Sequence, residues 1–144
     1  MRLCICVIYN KSIDYNTLRE VLILKKKVGF FSERVINLLS LNIKPGSPIY
    51  IGTQNIEHIK RKHGHDFYYY GRYLGDIISN PDYVGIVPKD GSLEYIKEVS
   101  IDPNVKIKVA IRVSKNNMYF VRTFYNVNDH HIDAALLRGT LFKV

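Results

Sequence analysis

A chain of 144 residues with 47% hydrophobic side chains can bury one substantial core, and its length calls for a single domain. The longest apolar run near its start, Leu3–Tyr9, is too short to span a bilayer, and no small-residue cleavage pattern marks a secretory signal; a cytoplasmic protein is expected. Twenty-one Lys and Arg against 13 Asp and Glu leave a net charge of +8, which favours a polyanionic partner, nucleic acid ahead of an anionic membrane.

Cys4 and Cys6, two apart in LCIC, would point the same way in a strand, which suits free buried thiols rather than a bridge. The stretch KSIDYNTLREVLILKKK is predicted as a helix, with Thr17 as cap, Leu18, Val21 and Leu22 inward, and KKKVG as its solvated end. A second helix is expected from Ser32, with Val35, Ile36 and Leu39 as its apolar stripe. KPGSP then breaks the chain, and a short strand follows around Ile49–Gly52. Residues 1–45 thus read as a helical extension of a single domain whose core is 46–144.

Thr53 or Asn55 would cap the next helix, which runs to about His63 with Gly64 as its stop. Asp66 would cap a further helix, in which Phe67, Tyr70, Leu74, Ile77 and Ile78 recur at helical spacing; Pro81 ends it. The pattern then switches to period two. DYVGIV, LEYIKEV, VKIKVAIRV and MYFVRTFY are separated by short stretches of turn composition, which predicts an antiparallel meander. Asp129 would cap a last helix ended by Gly139, and TLFKV would add an edge strand. The fold class is α+β: N-terminal helices packed on one face of a four- to five-stranded antiparallel meander sheet.

In VKIKVAIRV the odd positions from Val105 to Val113 are all apolar and should face the core. If SKNN closes a hairpin with Val113 opposite Met118, then Met118, Phe120, Arg122 and Phe124 share that face. By the same pairing, Leu93, Tyr95, Lys97 and Val99 lie there too. Lys97 and Arg122 are then misplaced cations, costly to bury without partners. They can snorkel to the sheet edge, pair with carboxylates or be turned outward by a β-bulge. The alternative is a cationic pocket between sheet and helices, within reach of His58 or His63.

From PIYIG through NIEHIKRKH, NPDYVGIVPKDGSLEYIKEV, KVAIRVS and YFVRTFY, the chain resembles the barnase–EndoU–colicin–RelE class of phage and mobile-element nucleases, over about 48–141. The resemblance implies a metal-independent RNase fold, with a helical layer over an antiparallel sheet. It places helix histidines at His58 and His63, a charged strand position at Lys97, an arginine at Arg112, and an Arg-Thr-x-Tyr cluster at Arg122, Thr123 and Tyr125. The implied partners are RNA and a cognate antitoxin or immunity protein, with no membrane.

The chemistry suits those residue types. Metal-free RNA cleavage takes a proton from a 2′-hydroxyl, which attacks the adjacent phosphorus and leaves a 2′,3′-cyclic phosphate and a 5′-hydroxyl. Histidine is the side chain whose ordinary pKa fits that proton traffic, and Arg or Lys donors neutralise the transition state. His58, His63, Lys97, Arg122 and Thr123 are the candidate catalytic residues. Lys60, Lys62 and Arg112 would hold phosphates, and Tyr68, Tyr69 and Tyr125 would stack bases.

His58 and His63 stand five apart, about 140° around a continuous helix, so they cannot share a face. His63 aligns with the inward stripe of Ile56 and Ile59, and the expected site is the meeting of His63 with Lys97 and Arg122. His65 follows Gly64 and reads as a loop residue. A zinc site built from His58, His63, His65 and Asp66, with His130 and His131, has neither helical His-x-x-x-His spacing nor a thiol. No metal or cofactor is called for. The expected function is an endoribonuclease toxin. The alternatives are a catalytically inactive domain that binds RNA or a partner protein, and an antitoxin or anti-defence protein acting through its basic face.

Overall fold

The computed structural model describes residues 25–114 and 116–144. The helix expected around Thr17 and the thiols Cys4 and Cys6 lie outside the described residues.

The first described segment is a strand where a helix end was expected. β1 (Lys25–Phe30) pairs antiparallel with β2 (Pro48–Gly52), Lys27 opposite Tyr50. Three consecutive lysines suit an exposed edge strand, where charge deters pairing with another chain. Between the two strands sits α1 (Glu33–Leu39). Ser32 caps it by accepting the Val35 N–H at 3.3 Å, a contact worth about 1 kcal/mol. As the apolar stripe required, Val35, Ile36 and Leu39 are buried.

α2 (Thr53–Tyr70) begins immediately after β2, with Gly52 as the N-cap residue. Asn55 Oδ1 accepts the Gly52 N–H at 2.8 Å and so closes the helix start. The expected break falls at His63 (φ −140°, ψ 41°), beside Gly64, where two helical segments meet across a kink; the second runs to Tyr70. Asp66 does not cap a new helix; its carboxylate accepts the backbone N–H of Asn126 at 2.9 Å, from the strand alongside. A single 3₁₀ turn (Gly71–Tyr73) leads into α3 (Leu74–Ser79), whose Leu74, Ile77 and Ile78 are buried.

The meander forms as expected from β3 (Tyr83–Ile86), β4 (Leu93–Ser100), β5 (Val105–Val113) and β6 (Tyr119–Val127). α4 (Asp129–Arg138) follows, and Gly139 ends it at φ 72°, a conformation glycine adopts without steric cost. Its cap is Asn128 rather than Asp129, the Asn128 side chain accepting the His131 N–H at 2.8 Å. β7 (Leu141–Lys143) then pairs with β3. Gly85 permits this, because a Cβ there would sit 2.2 Å from the Thr140 carbonyl oxygen.

The sheet has seven strands among the described residues, in the order β1-β2-β6-β5-β4-β3-β7, wider than the four or five expected. All neighbours are antiparallel except β2 and β6, which run parallel only at Ile49–Tyr119 and Tyr50–Phe120. Beyond Tyr50 the two strands part, and α2 packs against β6 instead. Ile59, fully buried, anchors that helix; truncating it to Ala would cost about 2–5 kcal/mol.

Helices do not all lie on one face. α1, α2 and α3 share a core with Tyr95, Val109 and Phe124, whereas α4 forms a second cluster with Ile96, Val127 and Leu141. Ile96 alternates with Tyr95 along β4, so α4 covers the opposite face of the sheet. The rest of that second face is uncovered by α4.

The β5–β6 register differs from expectation in two ways. Ser114 N–H donates to the Met118 carbonyl at 2.6 Å, so the hairpin loop is longer than SKNN and Val113 lies opposite Tyr119. A bulge then falls at Arg122: Ile111 pairs with Val121, but Ala110 pairs with Thr123. Val121 and Phe124 face the first core, fully buried, while Arg122 is left unpaired in the ladder and exposed. The bulge raised as one escape for a misplaced cation is the one this strand uses.

Candidate functional site

The even positions of β5, Lys106, Lys108, Ala110 and Arg112, share the second face with Glu94 on β4 and with Phe120, Thr123 and Tyr125 on β6. Of these, Lys108, Ala110, Arg112, Thr123 and Tyr125 line an open cleft of about 340 Å³, together with His58 from α2, Arg122 from the bulge, and Asp90 and Ser92. A smaller cleft of about 190 Å³ adjoins it, lined by Gln54, Asn55, Ser114 and Phe120, and the two share Arg112 and Arg122.

Two of the three cations in the main cleft are held by carboxylates. Lys108 Nζ meets Glu94 Oε2 at 2.5 Å, both side chains less than a tenth exposed. Burial alone would push the Lys108 ammonium down, but the hydrogen bond and charge of Glu94, with Tyr125 alongside, raise it above the ordinary lysine value. It stays charged. Arg112 forms an ion pair with Asp90 and donates from Nε to the Ser92 hydroxyl at 2.7 Å. Hydrogen bonds from the Ser92 N–H and hydroxyl, with the Arg112 guanidinium, hold the Asp90 carboxyl at about 2. Arg122 has no ion pair among the described residues, which leaves its guanidinium available to an incoming anion.

His63 reaches the cleft indirectly. Its ring stacks on Tyr125, centroids 4.8 Å apart, and Lys108 Nζ lies 5.9 Å from that same Tyr125 ring. The backbone at His63 is non-helical, so the separation that a regular helix would set between the two histidines does not apply there. His58 lines the cleft directly, although its outward position made it the weaker candidate from spacing alone.

Lys97 is elsewhere. It lies on the first face, where its Nζ donates to the Asn80 carbonyl at 2.7 Å and faces Asp82 at 3.9 Å. That is the snorkelling alternative, and the expected meeting of His63, Lys97 and Arg122 does not occur. Lys60, Lys62, Tyr68 and Tyr69 are exposed on α2. Tyr69 packs against Tyr68 and against His65, which is helical rather than in a loop, and none of these residues lines the cleft. Thr123, Arg112 and Tyr125 do line it.

Sequence reading missed Lys108, Glu94, Asp90 and Ser92. The alternating pattern held a clue in Lys108 and Glu94, each on the non-core face of its strand, but that face looked like plain solvent. Among the described residues no cluster of three or more His, Cys, Asp or Glu is placed to hold a metal ion. No helix among them is long and apolar enough to cross a membrane.

An α+β domain with a basic cleft on an open sheet face, edged by a helix histidine, is an arrangement suited to phosphodiester chemistry. Residues 25–134 match a family model, and the chain belongs to the phage-Barnase-EndoU-ColicinE5/D-RelE like nuclease 3 family. The match begins at Lys25 and so takes in β1 and α1, upstream of the stretch on which the resemblance was first drawn. No curated protein and no solved structure gives a significant match.

Proposed function

We propose that this nuclease-family domain is an endoribonuclease that cleaves RNA by attack of a 2′-hydroxyl on the adjacent phosphorus. The observation that carries the reading is the convergence of His58, Arg112, Arg122, Thr123 and Tyr125 on one cleft. In it, His58 takes the 2′-hydroxyl proton as general base, and Tyr125, oriented by its stack on His63, donates to the leaving 5′-oxygen. Arg122 and Arg112 meet the charge that builds on the phosphorus oxygens, and Thr123 donates a hydrogen bond to one of them. Lys108, neutralised by Glu94, builds the floor beneath Tyr125, whose ring lies 5.9 Å from its Nζ. The role of a toxin acting in a bacterial cytoplasm, with a cognate antitoxin or immunity protein, belongs to the same reading.

The test is incubation of the pure protein with single-stranded RNA and with tRNA in EDTA, followed by end-group analysis. Cyclic phosphate and 5′-hydroxyl ends are expected; intact RNA across several substrates would overturn the proposal. A second reading, a domain that binds RNA without cutting it, draws on the carboxylates that occupy Lys108 and Arg112. Salt-sensitive RNA binding that leaves the RNA whole would favour it.

A further inference from the structure

The second face continues past the cleft toward the β1 edge of the sheet. Arg112 lies opposite Phe120, Phe120 beside Tyr50, and Tyr50 opposite Lys27, so one row of neighbours crosses four strands. Three strand spacings make that row about 14 Å long. The Tyr50 and Phe120 rings are 5.9 Å apart, and Lys25 Nζ stands 4.9 Å from the Tyr50 ring on the same face. Among the described residues no carboxylate forms an ion pair with Lys25 or Lys27. The row therefore presents two aromatic rings with uncompensated lysines at one end and the cleft arginines at the other. Backbone phosphates seek cations and splayed bases seek ring faces, and a single strand offers both at short intervals.

We propose that Lys25, Lys27, Tyr50 and Phe120 seat the single-stranded RNA that flanks the reacting phosphate, making the substrate an extended strand rather than a dinucleotide. The inference rests on the endoribonuclease reading for the position of that phosphate. A labelled single-stranded RNA of about twelve nucleotides, 2′-O-methylated so that it cannot be cut by 2′-hydroxyl attack, is titrated by fluorescence anisotropy against the full chain. Exposed Lys25 and Lys27 are changed together to Gln, and Tyr50 separately to Leu, which keeps its apolar contacts. The lysine pair should reduce the slope of log K against log salt by about 1.4, and Tyr50→Leu should weaken binding roughly tenfold. Neither change should alter binding of a 2′-O-methylated dinucleotide. Wild-type affinity of both variants for the longer strand would overturn the proposal and leave the row to a protein partner. Row-dependent binding by a protein that never cleaves unmodified RNA would uphold the seat and sink the nuclease reading alone.

Discussion

Lys108 and Glu94 face each other at 2.5 Å in the floor of the cleft, from adjacent strands, with almost no solvent between them and the sheet. Removing one partner leaves the other as an uncompensated buried charge. Glu94→Ala should destabilise the fold by about 3–5 kcal/mol, whereas Glu94→Leu combined with Lys108→Met should recover most of that loss. Urea denaturation of the two variants checks both. The double variant should fold and keep most of its RNA binding, because the pair it removes carries no net charge.

Asp90 gives a pH signature. Its carboxyl is held at about 2 by Ser92 and Arg112, below the ordinary carboxylate value, so the charged form is favoured by folding. The stabilisation is complete above the unfolded value near 4 and is lost as pH falls from about 4 to 2. Asp90 is partly exposed, so after solvent screening the effect is about 1 kcal/mol. Unfolding free energies measured across that window should fall in the wild type by that much more than in Asp90→Asn.

Cleavage should depend on the cleft and not on every cation near the sheet. Arg122→Ala should slow cleavage by about 100- to 1000-fold, and His58→Ala by about 100- to 10,000-fold, with melting temperatures close to wild type because both residues are exposed. Lys97→Ala should leave the rate at the wild-type value. Single-turnover rates on one RNA, measured beside circular dichroism, separate these outcomes.

His63 should matter for its ring rather than its proton. Losing the stack on Tyr125 removes about 0.5–1.5 kcal/mol of positioning, so His63→Ala should cut the rate about tenfold or less. His63→Phe should restore most of it. A loss in His63→Phe as deep as in His58→Ala would instead make the imidazole a proton carrier.

How much of this could be read from the chain depends on what each signal measures. The strands β3 to β6 and the inward stripe of Val105, Ile107, Val109 and Ile111 were legible because alternation reports burial on one face directly. The register of β6 was not, since the longer loop closed by Ser114 and Met118 turns Tyr119 to Val121 over, and the bulge at Arg122 turns the strand back so that Phe124 regains the expected face. The true cleft was hidden for the same reason: Lys108 and Glu94 look solvent-exposed until their strands are laid side by side. His58 and Arg122 were named on residue type and resemblance, yet their meeting depends on where α2 lies along β6. Lys97 was read as a site residue because a cation in an apolar stripe invites explanation, and the Asn80 carbonyl supplies a plain one.

The parting of β2 from β6 bears on the order in which the molecule assembles. The β1–β2 pair and the β3–β6 meander are each built from neighbours in sequence, the kind of contact that closes early. Their strands meet at Ile49–Tyr119 and Tyr50–Phe120, about 70 residues apart along the chain, while α2 packs alongside β6 and the helices of the first face share one core with both halves. His58 belongs to the first half, and Arg112 and Arg122 to the second. A nascent chain, or one whose halves have formed but not docked, therefore has no cleft. The cleft is thus completed by contacts between residues far apart in sequence, the kind that carry the larger loop-closure cost.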